Sequence, residues 1–349
     1  MRALVAMSGG VDSSVAAALV KDEGHEAIGV TLKLWSGPNG EAPTAGCCTV
    51  SDAEDARRVA AELGIPYYVL DYTEDFRDGV VNGFIHEYAS GQTPNPCIEC
   101  NRTVKFDRLL NQLDEFDCDV LVTGHHARNH ETNGIWTLLR GTDPAKDQSY
   151  VLSMLTQKEL KRTRLPVGEL TKKEVRRVAA SMGMRSAHKP ESQDICFVGQ
   201  RDYRSFLQEN APEVFTPGKV VDMKGTDVAT HDGIVGFTVG QRRGLGVSVG
   251  EPRFVVRIEP STSTVVIGER ADLAVSGVEL RDITWANGVG ASGVITAQFR
   301  AHGEPVLASL NGSNLTFATK QEAVAPGQTV AFYLEDRVLG GGLISSTNL

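Results

Sequence analysis

The stretch ALVAMSGGVDSSVAAALVKDEG, residues 3–24, runs from a short apolar segment of strand character through a glycine loop into a helical pattern ending at Gly24. Strand, loop and helix in that order make the first half of a βαβ unit, and the sequence repeats the alternation. EAIGVTLKLW (26–35) reads as a second strand, DAEDARRVAAELG (52–64) as an amphipathic helix and PYYVLDY (66–72) as a third strand. VKFDRLLNQL (104–113) follows as a helix and CDVLVTG (118–124) as a further strand. This spacing predicts parallel strands with right-handed crossovers, hence a doubly wound α/β domain over residues 1–205. Such sheets bind ligands beyond the carboxyl ends of their strands, which here carry SGGVDSS (8–14), LWSG (34–37) and GHHAR (124–128).

Within SGGVDSS, Gly9 and Gly10 let backbone N–H groups approach a phosphate, and Ser13 and Ser14 offer hydroxyls at a helix N-terminus whose dipole favours anions. The loop lacks the lysine and spacing of a Walker motif and is not G-x-G-x-x-G, which argues against a P-loop NTPase or a dinucleotide site. Asp12 in a phosphate cradle repels its ligand unless a cation joins it. That points to Mg²⁺ bridging Asp12 and a nucleotide.

Helical patterning continues through TKKEVRRVAASMG (171–183) and DYRSFLQEN (202–210), then yields to short β-like runs separated by turns. A small β-rich linking domain over 206–270 and a C-terminal β-barrel domain over 271–349 are expected. The 349 residues, 41% hydrophobic and 23% charged, suffice for such an organisation. The opening residues have neither a signal-peptide nor a membrane-span pattern, so a cytoplasmic enzyme with no membrane partner is expected. In that compartment the six cysteines stay mostly reduced. The formal charge of −9 hides a basic segment: residues 156–189 hold ten Lys and Arg against three Glu, a local surface suited to a polyanion.

TPNPCIECN (93–101) sets Cys97 and Cys100 three apart in a proline-stiffened segment. Half a metal site, a redox pair, and a reactive thiol with a bystander all fit it. Another thiol, Cys196, comes almost a hundred residues later in SQDICFVG. Cys118 reads as simply buried. Cys47 and Cys48 read as loop residues before a helix capped by Ser51 or Asp52.

SGGVDSS resembles the loop of N-type ATP pyrophosphatases. TPNPCIECNRTVKFDRL, GHHARN, LLRGTDPAKDQSYVLSML, SQDICFVGQRDYRSFL, TVGQRRGLG and PGQTVAFYLEDRVLGGGLI, in order over essentially the whole chain, resemble the bacterial tRNA-specific 2-thiouridylases. The resemblance implies that ATP adenylates the C2 oxygen of a wobble uridine and that a cysteine persulfide supplies sulfur, releasing AMP and pyrophosphate. It implies Cys100 as nucleophile, Cys196 as persulfide carrier, and a transient disulfide between them. ATP is placed against Ala6, Met7, Ser8, Gly9, Gly10, Val11, Asp12 and Ser13, with Leu32 and Gly124 beside it. Asn95, Pro96 and Cys97 would face the target base, and His125, Lys146, Asp147, Gln148, Arg300, Ala301 and Gln328 would touch tRNA. ATP and Mg²⁺ are implied as cofactors, and a tRNA with a wobble uridine and a persulfide donor or relay protein as partners.

One position departs from the pattern: Cys97 stands where family members often carry aspartate. That leaves the general base open, and Cys97, Cys100 and Cys196 could instead hold an iron–sulfur cluster. Two rivals remain in view. Another pyrophosphatase-loop ligase, forming an amide or argininosuccinate, leaves the thiols and the basic segment without work. A noncatalytic RNA-binding protein has no use for Asp12, paired glycines and two thiols together.

Overall fold

Five parallel strands organise the N-terminal part of the computed structural model, which describes residues 1–36, 49–189, 195–199, 202–247 and 251–348. They are β1 (Arg2–Ala6), β2 (Glu26–Lys33), β3 (Tyr67–Asp71), β4 (Val120–Val122) and, after a hairpin of β5 (Ala127–Thr132) and β6 (Ile135–Arg140), β7 (Thr163–Arg164). The sheet order is β3-β2-β1-β4-β7. β1 pairs with β2 from Arg2 opposite Glu26 to Ala6 opposite Val30, and with β4 from Ala3 opposite Val120 to Val5 opposite Val122. Its run of apolar residues is explained by cover on both faces: Ala3 and Val5 join a cluster under α1 (Val11–Asp22) and α2 (Val50–Glu62), and Leu4 joins the cluster on the other side. The chain leaves β1 towards β2 on one flank and returns on the other as β4, so the switch point lies between β1 and β4.

The start of α2 corrects the expected cap. Thr49, not Ser51 or Asp52, caps the helix: its hydroxyl accepts the Asp52 N–H at 3.1 Å, while Asp52 accepts the Thr49 N–H at 3.0 Å. Cys47 and Cys48 lie outside the described residues. The helix expected over 104–113 begins earlier and with wider turns. Pro96–Glu99 is α-helical, Cys100–Arg108 π-helical and Leu109–Glu115 α-helical again. Helical turns over Thr73–Phe76, Arg77–Val81 and Asn82–Ala89 were not legible in the sequence. Cys118 is buried, as expected, and burial pushes its thiol pKa up.

Four strands, β8 (Gly218–Val221), β9 (Asp227–His231), β10 (Phe254–Glu259) and β11 (Thr264–Gly268), form the small central sheet in the order β10-β11-β8-β9. Six more close the C-terminal barrel: β12 (Ala274–Trp285), β13 (Gly293–Gln298), β14 (Val306–Asn311), β15 (Asn314–Glu322), β16 (Thr329–Leu334) and β17 (Arg337–Asn348). Closure comes from β12, which pairs with both β15 and β17. The doubly wound sheet, the β-rich linker and the barrel are therefore all present.

The hairpin is the surprise. Although β5 and β6 follow β4 directly, they extend the barrel's sheet rather than the parallel one, with Leu139 opposite Arg337. Arg140 fastens the join: its guanidinium lies 2.8 Å from Asp147, 3.2 Å from Gln298 and 3.6 Å from the centre of the Tyr333 ring. The turn signal was present in the sequence as Asn133-Gly134, whose φ values of 52° and 82° suit a tight hairpin turn.

Candidate active site

The glycine loop and the end of β4 meet backbone to backbone at the switch point. A Cβ on Gly124 would stand 2.5 Å from the Ser13 nitrogen and 2.7 Å from the Asp12 carbonyl carbon. One on Gly9, where φ is +71°, would stand 2.2 Å from the Asp52 carbonyl oxygen. Both positions therefore need glycine. No side chain caps α1. The Ser13 and Ser14 hydroxyls instead donate to the Gly10 carbonyl at 3.1 and 2.9 Å, and Ser13 also accepts the Ser8 N–H at 3.1 Å. The positive end of the helix dipole is thus left to a ligand.

A pocket of about 310 Å³ opens here. Of the residues expected around ATP, Ala6, Met7, Ser8, Gly10, Val11, Asp12, Ser13, Leu32 and Gly124 line it, while Gly9 packs behind it on Asp52. His125, Lys146 and Gln148, expected at tRNA, line the same pocket. Asp147 turns away to accept from Arg140 at 2.8 Å and from the Gly141 and Ser149 N–H groups at 2.9 and 3.0 Å. With Ala301, Arg128, Arg140 and His302, it lines a second cleft of about 640 Å³ beside the hairpin and the barrel.

Charge inside the first pocket is arranged around Asp12. Lys172 donates to both its carboxylate oxygens, at 2.7 and 2.9 Å, and His126 Nε2 lies 2.9 Å from one of them. Burial raises the Asp12 pKa, but the hydrogen bonds from His126 and Lys172 outweigh that and hold it below the usual carboxylate range. Asp12, expected to share Mg²⁺ with a nucleotide, is paired here with Lys172 and His126. Lys172 is only 9% exposed and opens the helix Lys172–Ser181, whose Thr171 and Glu174 form a capping box. Lys189 closes another side, 2.6 Å from Asp52, 2.7 Å from Asp55 and 3.3 Å from the Gly9 carbonyl.

Sequence reading missed both lysines because they belong to the basic segment 156–189, read there as outer surface. His125, hydrogen-bonded to Thr123 at 2.8 Å, has its pKa pushed down to about 3 by burial and by Lys105 and His126. It is a neutral hydrogen-bonding group near pH 7, not a cation for phosphates.

The thiols lie elsewhere on the same domain. Asn95 caps Pro96–Glu99 by accepting the Cys97 N–H at 3.1 Å, with Pro96 at the first helical position. Cys97 is exposed, whereas Cys100 is 6% exposed and belongs to the main apolar cluster. Cys196 is half-buried and packs against that cluster. Its neighbour Phe197 is fixed by ring contacts to Phe84 and Phe206 at 5.1 Å, Phe76 at 5.7 Å and Trp35 at 6.1 Å. Residues 190–194, just before Cys196, lie outside the described residues. Among the described residues no group of three His, Cys, Asp or Glu is placed to hold a metal ion.

On the barrel side, Arg300 donates to the Glu322 and Ala323 carbonyls at 3.0 and 2.8 Å, Ala301 packs against the main cluster, and Gln328 accepts the Ala325 N–H at 3.0 Å. Among the described residues no helix is long and apolar enough to cross a membrane.

Comparison with known proteins adds the family. Residues 1–200 match the model of the tRNA methyl transferase HUP domain, 204–269 that of the tRNA methyl transferase PRC-barrel domain and 275–344 that of the aminomethyltransferase beta-barrel domain. The chain is 43% identical to the tRNA-specific 2-thiouridylase MnmA of Geobacter metallireducens over 99% of this chain and 97% of that one. It is 45% identical to the protein of the same name from Chloroflexus aurantiacus over 98% of both. A 4-thiouridine synthetase solved with RNA and ATP aligns at a TM-score of 0.38 and 16% identity over 61% of this chain and 51% of that one, too loosely to argue from. On the full-length matches, the chain belongs to the tRNA-specific 2-thiouridylase family.

Proposed function

We propose that the chain thiolates C2 of the wobble uridine of tRNA at the expense of ATP. The observation that carries this reading is a pairing: an uncapped phosphate-type loop at the switch point and two thiols, Cys100 and Cys196, on one apolar cluster of the same domain. The α1 terminus, Lys172 and Lys189 orient the phosphates so that the C2 oxygen attacks the α-phosphorus and pyrophosphate leaves. The terminal sulfur of a Cys196 persulfide then attacks the adenylated C2, and AMP departs. The Cys100 thiolate attacks the remaining S–S bond, freeing 2-thiouridine and leaving a Cys100–Cys196 disulfide.

Asp12 suits Mg²⁺ as a hard oxygen donor facing the pocket, and the metal would supply charge neutralisation of the phosphates there. The target base must leave its stack to meet Asn95, Pro96 and Cys97, at a cost of a few kcal/mol. Contacts through Lys146 and Gln148, Asp147 and Ala301 of the second cleft, and Arg300 and Gln328 would offset that. On this reading residues 1–205 do the chemistry, and 206–270 and 271–349 hold the RNA. A persulfide donor or relay protein supplies sulfur, and the tRNA substrate places the work in the cytoplasm.

The test combines unmodified tRNA, Mg-ATP and a persulfide donor with protein assayed for iron, followed by mass spectrometry of the digested tRNA. Product is expected without iron and lost in Cys100→Ser and Cys196→Ser. Product formed only by iron-loaded protein would replace the persulfide route with a cluster. AMP formation that survives loss of both thiols would favour the ligase rival.

A further inference from the structure

Cys97 and Cys100 stand one helical turn apart with opposite exposures: the first is exposed and the second is buried in the main cluster. The Cys100 N–H donates to the Cys97 and Pro96 carbonyls, and Asn95 fixes the start of the turn. Helical geometry puts residues three apart about 5 Å from each other at Cα. A disulfide spans roughly 4.4 to 6.8 Å. Cys196 packs on the same cluster, tethered by Phe197. Cys100 thus stands one helical turn from an exposed thiol and shares its apolar cluster with the half-buried Cys196. The sulfur transfer described above uses only the inner pair.

We propose that Cys97 is a third redox thiol, which moves the disulfide from the core to the surface after each turnover. This rests on the persulfide reading, which ends with Cys100 and Cys196 joined. The Cys97 thiol loses its proton to solvent and its thiolate attacks Cys100 Sγ. The Cys97–Cys100 bond forms, the Cys100–Cys196 bond breaks, and its electron pair leaves on Cys196 as a thiolate. Cys196 is then ready for the next sulfur. A dithiol reductant attacks the exposed Cys97 sulfur, and its second thiol closes on the mixed disulfide. Cys97 and Cys100 return as thiols, two electrons having passed to them from the dithiol. With Cys100 buried and Cys196 half-buried, a protein-sized dithiol meets the inner bond poorly, whereas an exposed thiol followed by a buried one is an arrangement such reductants can reach.

The full-length protein, carrying a persulfide on Cys196, is given tRNA and Mg-ATP for one turnover without reductant, quenched in acid, alkylated and mapped by mass spectrometry. The wild type should show a Cys97–Cys100 link and an alkylated Cys196. Cys97→Ser should stop at the Cys100–Cys196 link. Driven by thioredoxin, its steady-state rate should fall at least tenfold below its own first-turnover rate, and a small phosphine that reaches the inner bond should restore it. A wild type that holds only the Cys100–Cys196 link, or a variant whose thioredoxin-driven turnovers keep pace with its first, overturns the relay and leaves the persulfide reading standing. Thiolated tRNA with no disulfide among the three cysteines, or product from Cys100→Ser, removes the persulfide reading and the relay with it.

Discussion

The pocket at the glycine loop and the thiol site, proposed above to serve one reaction, are built in opposite ways. The pocket is backbone against backbone: Gly124 on Ser13, Gly9 on Asp52, with charged side chains closing the sides. The thiol site is side chain against side chain, with Cys100 in, and Cys196 against, the large apolar cluster that also holds Phe197 and its ring partners. The first should be intolerant of a single added atom, the second of atoms removed.

The strongest way to break that contrast is Gly124→Ala. Its methyl would stand 2.5 Å from the Ser13 nitrogen, so the two loops must part. Nucleotide affinity should fall more than 100-fold, about 2.7 kcal/mol, by titration calorimetry. Affinity within tenfold of wild type would show that the loops are not so tightly joined. Phe197→Ala tests the other region. Emptying its place among four rings should cost about 3 to 4 kcal/mol in denaturant unfolding and lower thiolation more than tenfold, while nucleotide affinity stays within about threefold. Equal loss of both functions would mean that the two regions are one unit.

Lys172→Met sharpens the comparison inside the pocket. Nucleotide binding should weaken about tenfold, or 1.4 kcal/mol. The sign with pH is fixed by Asp12, whose pKa is held below its ordinary value, so it stabilises the fold above that value and loses this as pH falls through the depressed one. Without Lys172 the acid limb of unfolding should move to higher pH.

A separate effect, read in stability rather than in binding, concerns His125. Folded, it resists protonation down to about pH 3, whereas the unfolded chain takes the proton below about 6.5. Stability should therefore decline as pH drops through that window, by at most about 1.4 kcal/mol per unit for this group. His125→Asn should flatten the decline in thermal unfolding, and an unchanged slope would mean His125 titrates normally.

The same contrast explains what could be read in the sequence. The glycine loop is encoded within a few residues, so its strand, turn and helix were legible, and with them the sheet. The Thr49 cap was spelled T-x-x-D, but Ser51 and Asp52, two and three residues on, are equally good capping residue types, and only the backbone tells which one starts the helix. Lys172 was beyond reach: its partner Asp12 is far away in sequence, and nothing local in a basic helix start tells a pocket lysine from a surface one. Exposure was equally hidden, since C-I-E-C does not say that Cys97 faces out and Cys100 in. No residue pattern in the sequence marks the π-helical turns over Cys100–Arg108.

The hairpin beside the pocket sets a timetable. β6 lies within the nucleotide loop's own domain in the chain, yet its neighbour in the sheet, β17, leaves the ribosome only after β7 to β16. At ordinary synthesis rates that gap lasts roughly 10 to 40 s. During it, the nascent first domain exposes one unmatched hairpin edge and the Arg140 guanidinium without Tyr333 beneath it. A chain truncated before β17 should leave this edge open for chaperones or for aggregation, so quality control can sense completion at the very domain that carries the glycine loop.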